Sequence, residues 1–98
     1  MHTVIRSYSG SGAAALFDLL EASKQEVESL IRAVPGFVSY SLVRTADGGV
    51  SVTVCQDKSG TDESLQLARE WIHEHGSDLN VSPPTVTEGS NILQLGES

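Results

Sequence analysis

At 98 residues and 10.4 kDa, the chain has room for one domain, residues 1–98, built on one hydrophobic core. Hydrophobic residues are 39% and charged residues 19%, which excludes a disordered chain, while thirteen acidic residues against six basic give a formal charge of −7 and argue against a nucleic-acid partner. No apolar run approaches the ~18 residues of a membrane span, and the start lacks the pattern of a signal peptide, so no membrane partner and a cytoplasmic location are expected.

His2 to Tyr8 mixes β-branched, aromatic and polar residues and reads as a strand, broken by Ser9-Gly-Ser-Gly12. From Ala13 to Val34 the apolar positions Leu16, Leu20, Val27, Leu30, Ile31 and Val34 alternate four and three apart, with Ser23 filling one slot. That spacing predicts a single amphipathic helix, stopped by Pro35-Gly36. Phe37 to Thr45 alternates as a strand, with Val38, Tyr40 and Leu42 facing one way and Phe37, Ser39, Ser41 and Val43 the other. Ala46-Asp-Gly-Gly49 predicts a tight hairpin centred on Asp47-Gly48. The strand Val50 to Asp57 follows, with Val50, Val52 and Val54 on one face and Ser51, Thr53 and Cys55 on the other.

Ser59-Gly-Thr-Asp62 predicts the opening of a second helix, capped by Ser59 or Thr61. Its inward stripe is Leu65, Ala68, Trp71, Ile72 and His75, and Gly76 ends it. Ser77 to Pro84 reads as a loop. Thr85 to Leu95 reads as a last strand, bent near Gly89, with Ile92, Leu93 and Leu95 as its apolar part. The order strand, helix, strand, strand, helix, strand predicts an α+β chain. Its fold is a ferredoxin-like βαββαβ sandwich: one antiparallel sheet with both helices on a single face. Neither side of the central hairpin is charged like a water-facing surface. A homodimer, a second copy covering the bare face, is the expected partner.

Pro35-Gly36-Phe37, Tyr40, Asp47-Gly48, Asp62-Glu-Ser64, Ala68 and Trp71-Ile72 together resemble the antibiotic-biosynthesis-monooxygenase-like group, over about Val4 to Glu88. The resemblance implies a dimeric α+β barrel, in which two protomers close their sheets on one another. It also implies a pocket between sheet and helices for a hydrophobic small molecule, with no cofactor and no metal. Members include cofactor-free oxygenases and haem degraders, which place an asparagine and a tryptophan at that pocket. Here the asparagines are Asn80 and Asn91, late in the chain, and the one tryptophan is Trp71. The fold therefore carries over further than the activity. A non-catalytic dimeric structural or ligand-binding module is the alternative.

The candidate pocket residues are Tyr40, Trp71, His75 and Arg44, the aromatic and polar side chains available to such a pocket; catalytic residues are left unassigned. A pocket that takes a ligand runs ~300 Å³ or more, whereas a filled core favours the non-catalytic reading. His73 and His75, two apart on a helix, point in different directions and do not form a zinc pair. Their acidic neighbours Glu70, Glu74 and Asp78 disfavour haem propionates. Gly10-x-Gly12-x-x-Ala15 resembles a dinucleotide-binding turn, but a chain this short leaves it a flexible connector. Arg6 reads as a strand residue, and Cys55 as a small buried hydrophobe. The strand Val-Ser-Val-Thr-Val-Cys55 lacks the aromatics that stack RNA bases, and there is no Cys-x-x-Cys loop for a carried metal.

Overall fold

A computed structural model describes residues 1–95. The elements are β1 (His2–Ser9), α1 (Ala13–Ala22), α2 (Lys24–Arg32), β2 (Phe37–Thr45), β3 (Gly48–Cys55), α3 (Lys58–Gly76), a 3₁₀ turn at Ser77–Leu79, and β4 (Thr85–Ser90). The sheet order is β2-β3-β1-β4 and every pairing is antiparallel. This is the ferredoxin-like α+β arrangement, with the helices on one side of the sheet. No helix among the described residues is long and apolar enough to cross a membrane.

The first helical stretch is two helices rather than one. It breaks at Ser23 (φ −110°, ψ 26°), the slot in the apolar stripe that a serine occupies. The Ser23 N–H reaches back to the carbonyls of Leu19 and Leu20, and its own carbonyl accepts the Val27 N–H at 3.0 Å. With no apolar side chain to bury there, the chain bends. The bend lets α1 bury Ala13, Leu16, Phe17 and Leu20 while α2 buries Val27 and Ile31. Each such Leu or Ile, fully buried, contributes about 1.5–3 kcal/mol.

Three further boundaries differ from expectation. The hairpin turns through Ala46-Asp47, because Thr45 pairs with Gly48. Neither turn residue takes a positive φ, which among the described non-glycines occurs only at Asn80. Helix α3 starts at Lys58, and Asp57 stands before it, its carboxylate accepting the Ser59 hydroxyl at 2.6 Å. β4 ends at Ser90: the Asn91 N–H bonds the Met1 carbonyl at 3.0 Å and the Asn91 side chain bonds the Thr3 hydroxyl. Ile92, Leu93 and Leu95 lie beyond the strand and are exposed, Ile92 completely. Ladder bonding to β1 stops where β1 itself begins, so the strand has nothing further to pair with.

Register divides the sheet into two faces, because directly paired residues point the same way. The helix side carries Val4, Arg6 and Tyr8 of β1, Gly49, Ser51, Thr53 and Cys55 of β3, and Tyr40 and Leu42 of β2. A bulge between Phe37 and Ser39 turns Phe37 to this side too, where it packs on the core. The expected separation of Phe37 from Tyr40 is thus reversed by one extra residue. The other face carries Thr3, Ile5 and Ser7, Val50, Val52 and Val54, Ser39, Ser41 and Val43, and Thr85 and Thr87. None of these is charged. The core is centred on Leu16, Ile31, Phe17 and Tyr8, the last two meeting edge to face with ring centroids 6.0 Å apart. Gly49 is needed for this contact: a Cβ there would lie 2.3 Å from the Phe17 ring.

Candidate functional site

The inner face of the sheet holds a charge where only apolar packing is expected. Arg6 follows Val4 and precedes Tyr8 on the buried side of β1 and is 4% exposed. Its Nη1 donates to the Tyr8 hydroxyl at 3.5 Å, a long and weak bond. Among the described residues no carboxylate lies within ion-pair distance of its guanidinium. Directly opposite, on β3, stands Ser51, whose Oγ is buried without a hydrogen-bond partner. Tyr40 faces the same space from β2. Burial pushes its phenol above the ordinary range, against the opposing pull of the Arg6 guanidinium. An unpaired buried cation costs several kcal/mol, and an unsatisfied buried hydroxyl about 1–3 kcal/mol.

These groups border two spaces, and Tyr40 alone among them also borders a third, an open groove of about 430 Å³ shared with Val27, Ile31 and Phe37. Arg6, Tyr8, Tyr40, Ser51, Leu42 and Trp71 line an internal cavity between sheet and helices of about 20 Å³, room for about one water. Arg6, Tyr8 and Ile72 also close the inner end of an open groove of about 520 Å³. That groove lies between α3, the 77–84 segment and β4. Its walls are Leu65, Val81, Pro83, Pro84 and Val86, with Arg69 and His73 also lining it. Its volume falls within the range of small-molecule sites. The 77–84 segment is held against the start of α1 at Gly12, where a Cβ would lie 2.6 Å from the Leu79 carbonyl oxygen. Gly12 has φ +82°, and its place in the glycine-punctuated turn before α1 is what allows this approach.

The residues expected at the pocket separate into two groups. Tyr40 and Trp71 line the internal cavity together. The Trp71 indole N–H is committed elsewhere: it donates to Glu26 Oε1 on α2 at 2.6 Å. His75 stacks on the far side of that indole, ring centroids 4.6 Å apart, with Nδ1 3.0 Å from the Trp71 carbonyl and Nε2 3.3 Å from Glu26. It lines neither the cavity nor the groove, and its expected inward direction is corrected to a half-exposed one. Arg44 lies at the outer edge of the sheet, paired with Asp18 and Glu21 at 3.1 Å each. The hydrogen bond to Glu21, above all, holds its guanidinium more firmly protonated.

Arg6, Tyr8, Ser51 and Glu26 were not among the expected site residues. A signal for three of them existed: Val4, Arg6 and Tyr8 alternate on one face, and Ser51 falls on the non-valine face of the hairpin. Weighing Arg6 as a core-facing charge required the register. Among the described residues the cavity lining contains no carboxylate and no imidazole, and His73 in the groove is the one such proton acceptor at the site. Cys55 lines neither space, and burial, with Asp57 nearby, pushes its thiol up and away from thiolate chemistry. Among the described residues no three His, Cys, Asp or Glu side chains are placed to hold a metal ion.

No family model matches the chain, and no curated protein matches it. Solved structures do. A monooxygenase from Streptomyces coelicolor, ActVA-Orf6, solved with the ligand nanaomycin D, superposes at a TM-score of 0.69 and 20% identity, covering 99% of this chain and 92% of that one. The haem degrader MhuD from Mycobacterium tuberculosis, with two haems in its active site, superposes at 0.68 and 15% identity, covering 98% and 100%. SnoaB from Streptomyces nogalater, a cofactor-independent oxygenase, superposes at 0.65 and 23% identity, covering 98% and 97%. The chain has the fold of the antibiotic-biosynthesis-monooxygenase-like proteins.

Proposed function

We propose that the protein is a cytoplasmic homodimer that binds a hydrophobic small molecule in the groove beside α3, and that the chemistry it performs there is metal-free oxidation. The observation that carries this reading is the groove itself: about 520 Å³, walled by Leu65, Ile72, Val81, Pro83 and Val86, and reaching inward to Tyr8 and Arg6. A monooxygenase and a cofactor-independent oxygenase on the same fold support the reaction class. The dimer is supported by the uncharged outer face of the sheet. Thr3, Ile5, Val50, Val52 and Val43 form one apolar and small-polar surface, and a second copy covering it would remove that area from water. Ile92 and Leu93, exposed just past β4, extend the apolar surface available to a partner.

A second reading, a dimer that binds without catalysing, is favoured by one specific observation. The internal cavity beneath the groove is about 20 Å³ and carries no proton acceptor of carboxylate or imidazole type. Native mass spectrometry of freshly purified protein tests both readings. The expected spectrum is a dimer carrying a small organic adduct. A bare monomer of about 10.4 kDa at micromolar concentration overturns the proposal. If an adduct is found, dioxygen uptake on returning the isolated compound to the protein separates oxygenase from carrier.

A further inference from the structure

We propose that Arg6 and Tyr8 form an anion-recognising floor to the groove, and that the ligand is an apolar organic acid whose carboxylate docks there. The inference rests on the reading of the groove as a small-molecule site and adds the chemical class of the molecule.

The distribution of charge carries it. The chain has thirteen acidic and six basic residues. The groove is lined by two of the six, Arg6 and Arg69, and by none of the twelve acidic side chains among the described residues. An acidic protein has thus kept its carboxylates out of the one groove that ends on a buried cation. Arg6 is 96% removed from solvent by its 4% exposure, yet no carboxylate of the described residues pairs with it. A guanidinium in such a place is strongly destabilising unless a counter-ion arrives. The Ser51 hydroxyl, directly across the β1–β3 pair and without a partner, borders the small cavity behind Arg6 and supplies the guanidinium no counter-charge from that side. The Tyr8 hydroxyl, 3.5 Å from Arg6 Nη1, is the second donor on the groove. A planar fork of N–H donors beside a hydroxyl matches the two oxygens of a carboxylate, and in an apolar surround such charge-assisted bonds are strong. The walls leading in, Leu65, Ile72, Val81, Pro83 and Val86, offer the rest of the molecule only apolar contact.

Titration calorimetry of the full chain at neutral pH with three naphthalene probes tests this: 1-naphthoate, neutral 1-naphthylmethanol, and 2,4-dinitro-1-naphthol, which is a phenolate at that pH. The wild type is expected to bind the naphthoate at least about tenfold more tightly than the alcohol, and more tightly than the phenolate. Arg6→Met is expected to lose that preference, weakening the naphthoate by about tenfold or more and leaving the alcohol unchanged. Arg6→Met should also melt at or above the wild-type temperature, because an uncompensated buried cation is gone. Arg6→Lys, which keeps the charge without the fork, should fall between the two, and Tyr8→Phe should weaken the naphthoate several-fold. Equal binding of acid and alcohol by the wild type overturns the anion floor and leaves the groove reading standing. So does a preference that survives Arg6→Met. Tighter binding of the phenolate overturns the carboxylate assignment. An Arg6→Met chain that unfolds, with Arg6→Lys retaining no preference for the acid, makes Arg6 a structural residue and overturns the proposal. Binding of none of the three probes overturns the groove reading and the anion floor together.

Discussion

The two faces of the sheet reverse the usual placement of polarity. The face covered by helices carries a guanidinium, two phenols and two hydroxyls without partners, Ser51 and Thr53. The face left open carries valines, threonines and serines and no charge at all. A monomer optimised for stability in water would do the opposite, since burying polar groups costs free energy and charging the surface aids solubility. The proposed function accounts for both departures, with an anionic ligand arriving on the inside and a second copy covering the outside. On that reading the two faces are specified by what they meet. Stability of the isolated protomer is a weaker constraint on either.

The sharpest way to break that contrast is to charge the open face. Val52→Asp places a carboxylate between Ile5 and Ser41, and in a dimer that charge is buried without a partner, at a cost of several kcal/mol. Light scattering should show a dimer for the wild type and a monomer for the variant at the same concentration. A wild type and variant that scatter alike would leave the open face without a partner. On the covered face, Gly49→Ala is next in size. The new Cβ would meet the Phe17 ring at 2.3 Å, and overpacking of this kind costs about 1–3 kcal/mol, read as a lower urea midpoint at unchanged slope.

The phenol of Tyr40 gives a smaller, pH-dependent effect. Its pKa in the folded chain is raised by burial above the unfolded value, so the folded state holds the proton more tightly. The stability it contributes is fully present below the ordinary phenol pKa of about 10 and is lost as pH rises through the folded value. The buried Cys55 thiol, also raised, acts in the same direction from a lower starting pH. Urea unfolding should therefore be flat in this respect at neutral pH and fall in the alkaline range, and Tyr40→Phe should flatten the fall. The smallest expected effect belongs to Arg44. Its pairs with Asp18 and Glu21 are solvent-exposed, and Arg44→Ala should leave both the melting temperature and the binding of groove ligands unchanged within error. A clear loss of ligand binding in that variant would return Arg44 to the site.

Much of the architecture was legible residue by residue. The stripe Leu16, Leu20, Val27 and Ile31 announced helical structure, and the alternation of Val50, Val52 and Val54 announced a strand, because both periods follow from backbone geometry alone. Ser23 was visible as the odd member of the stripe, but whether a helix runs through such a position or bends there depends on what its two halves must pack against. The end of the last strand was misplaced for a similar reason. Thr85 to Leu95 has strand character throughout, yet β4 extends only as far as β1 offers a partner.

For the site, Tyr40 and Trp71 were legible as a pair, since one aromatic on an inward strand face and one on an inward helix stripe converge on the same core. His75 and Arg44 were not separable from them, because a side chain's last few ångströms are decided by neighbours distant in sequence. Glu26 draws His75 outward, and Asp18 and Glu21 hold Arg44 at the edge. By itself the sequence determined the order of the elements, the antiparallel α+β class, the lack of charge on the hairpin and the acidity of the chain. These are properties of local period and composition. Only the tertiary structure decided which face of the hairpin the helices cover, and with it that Arg6 is buried opposite Ser51 without a carboxylate. Burial and pairing are relations between strands, and a one-residue change of register or bulge exchanges the two faces.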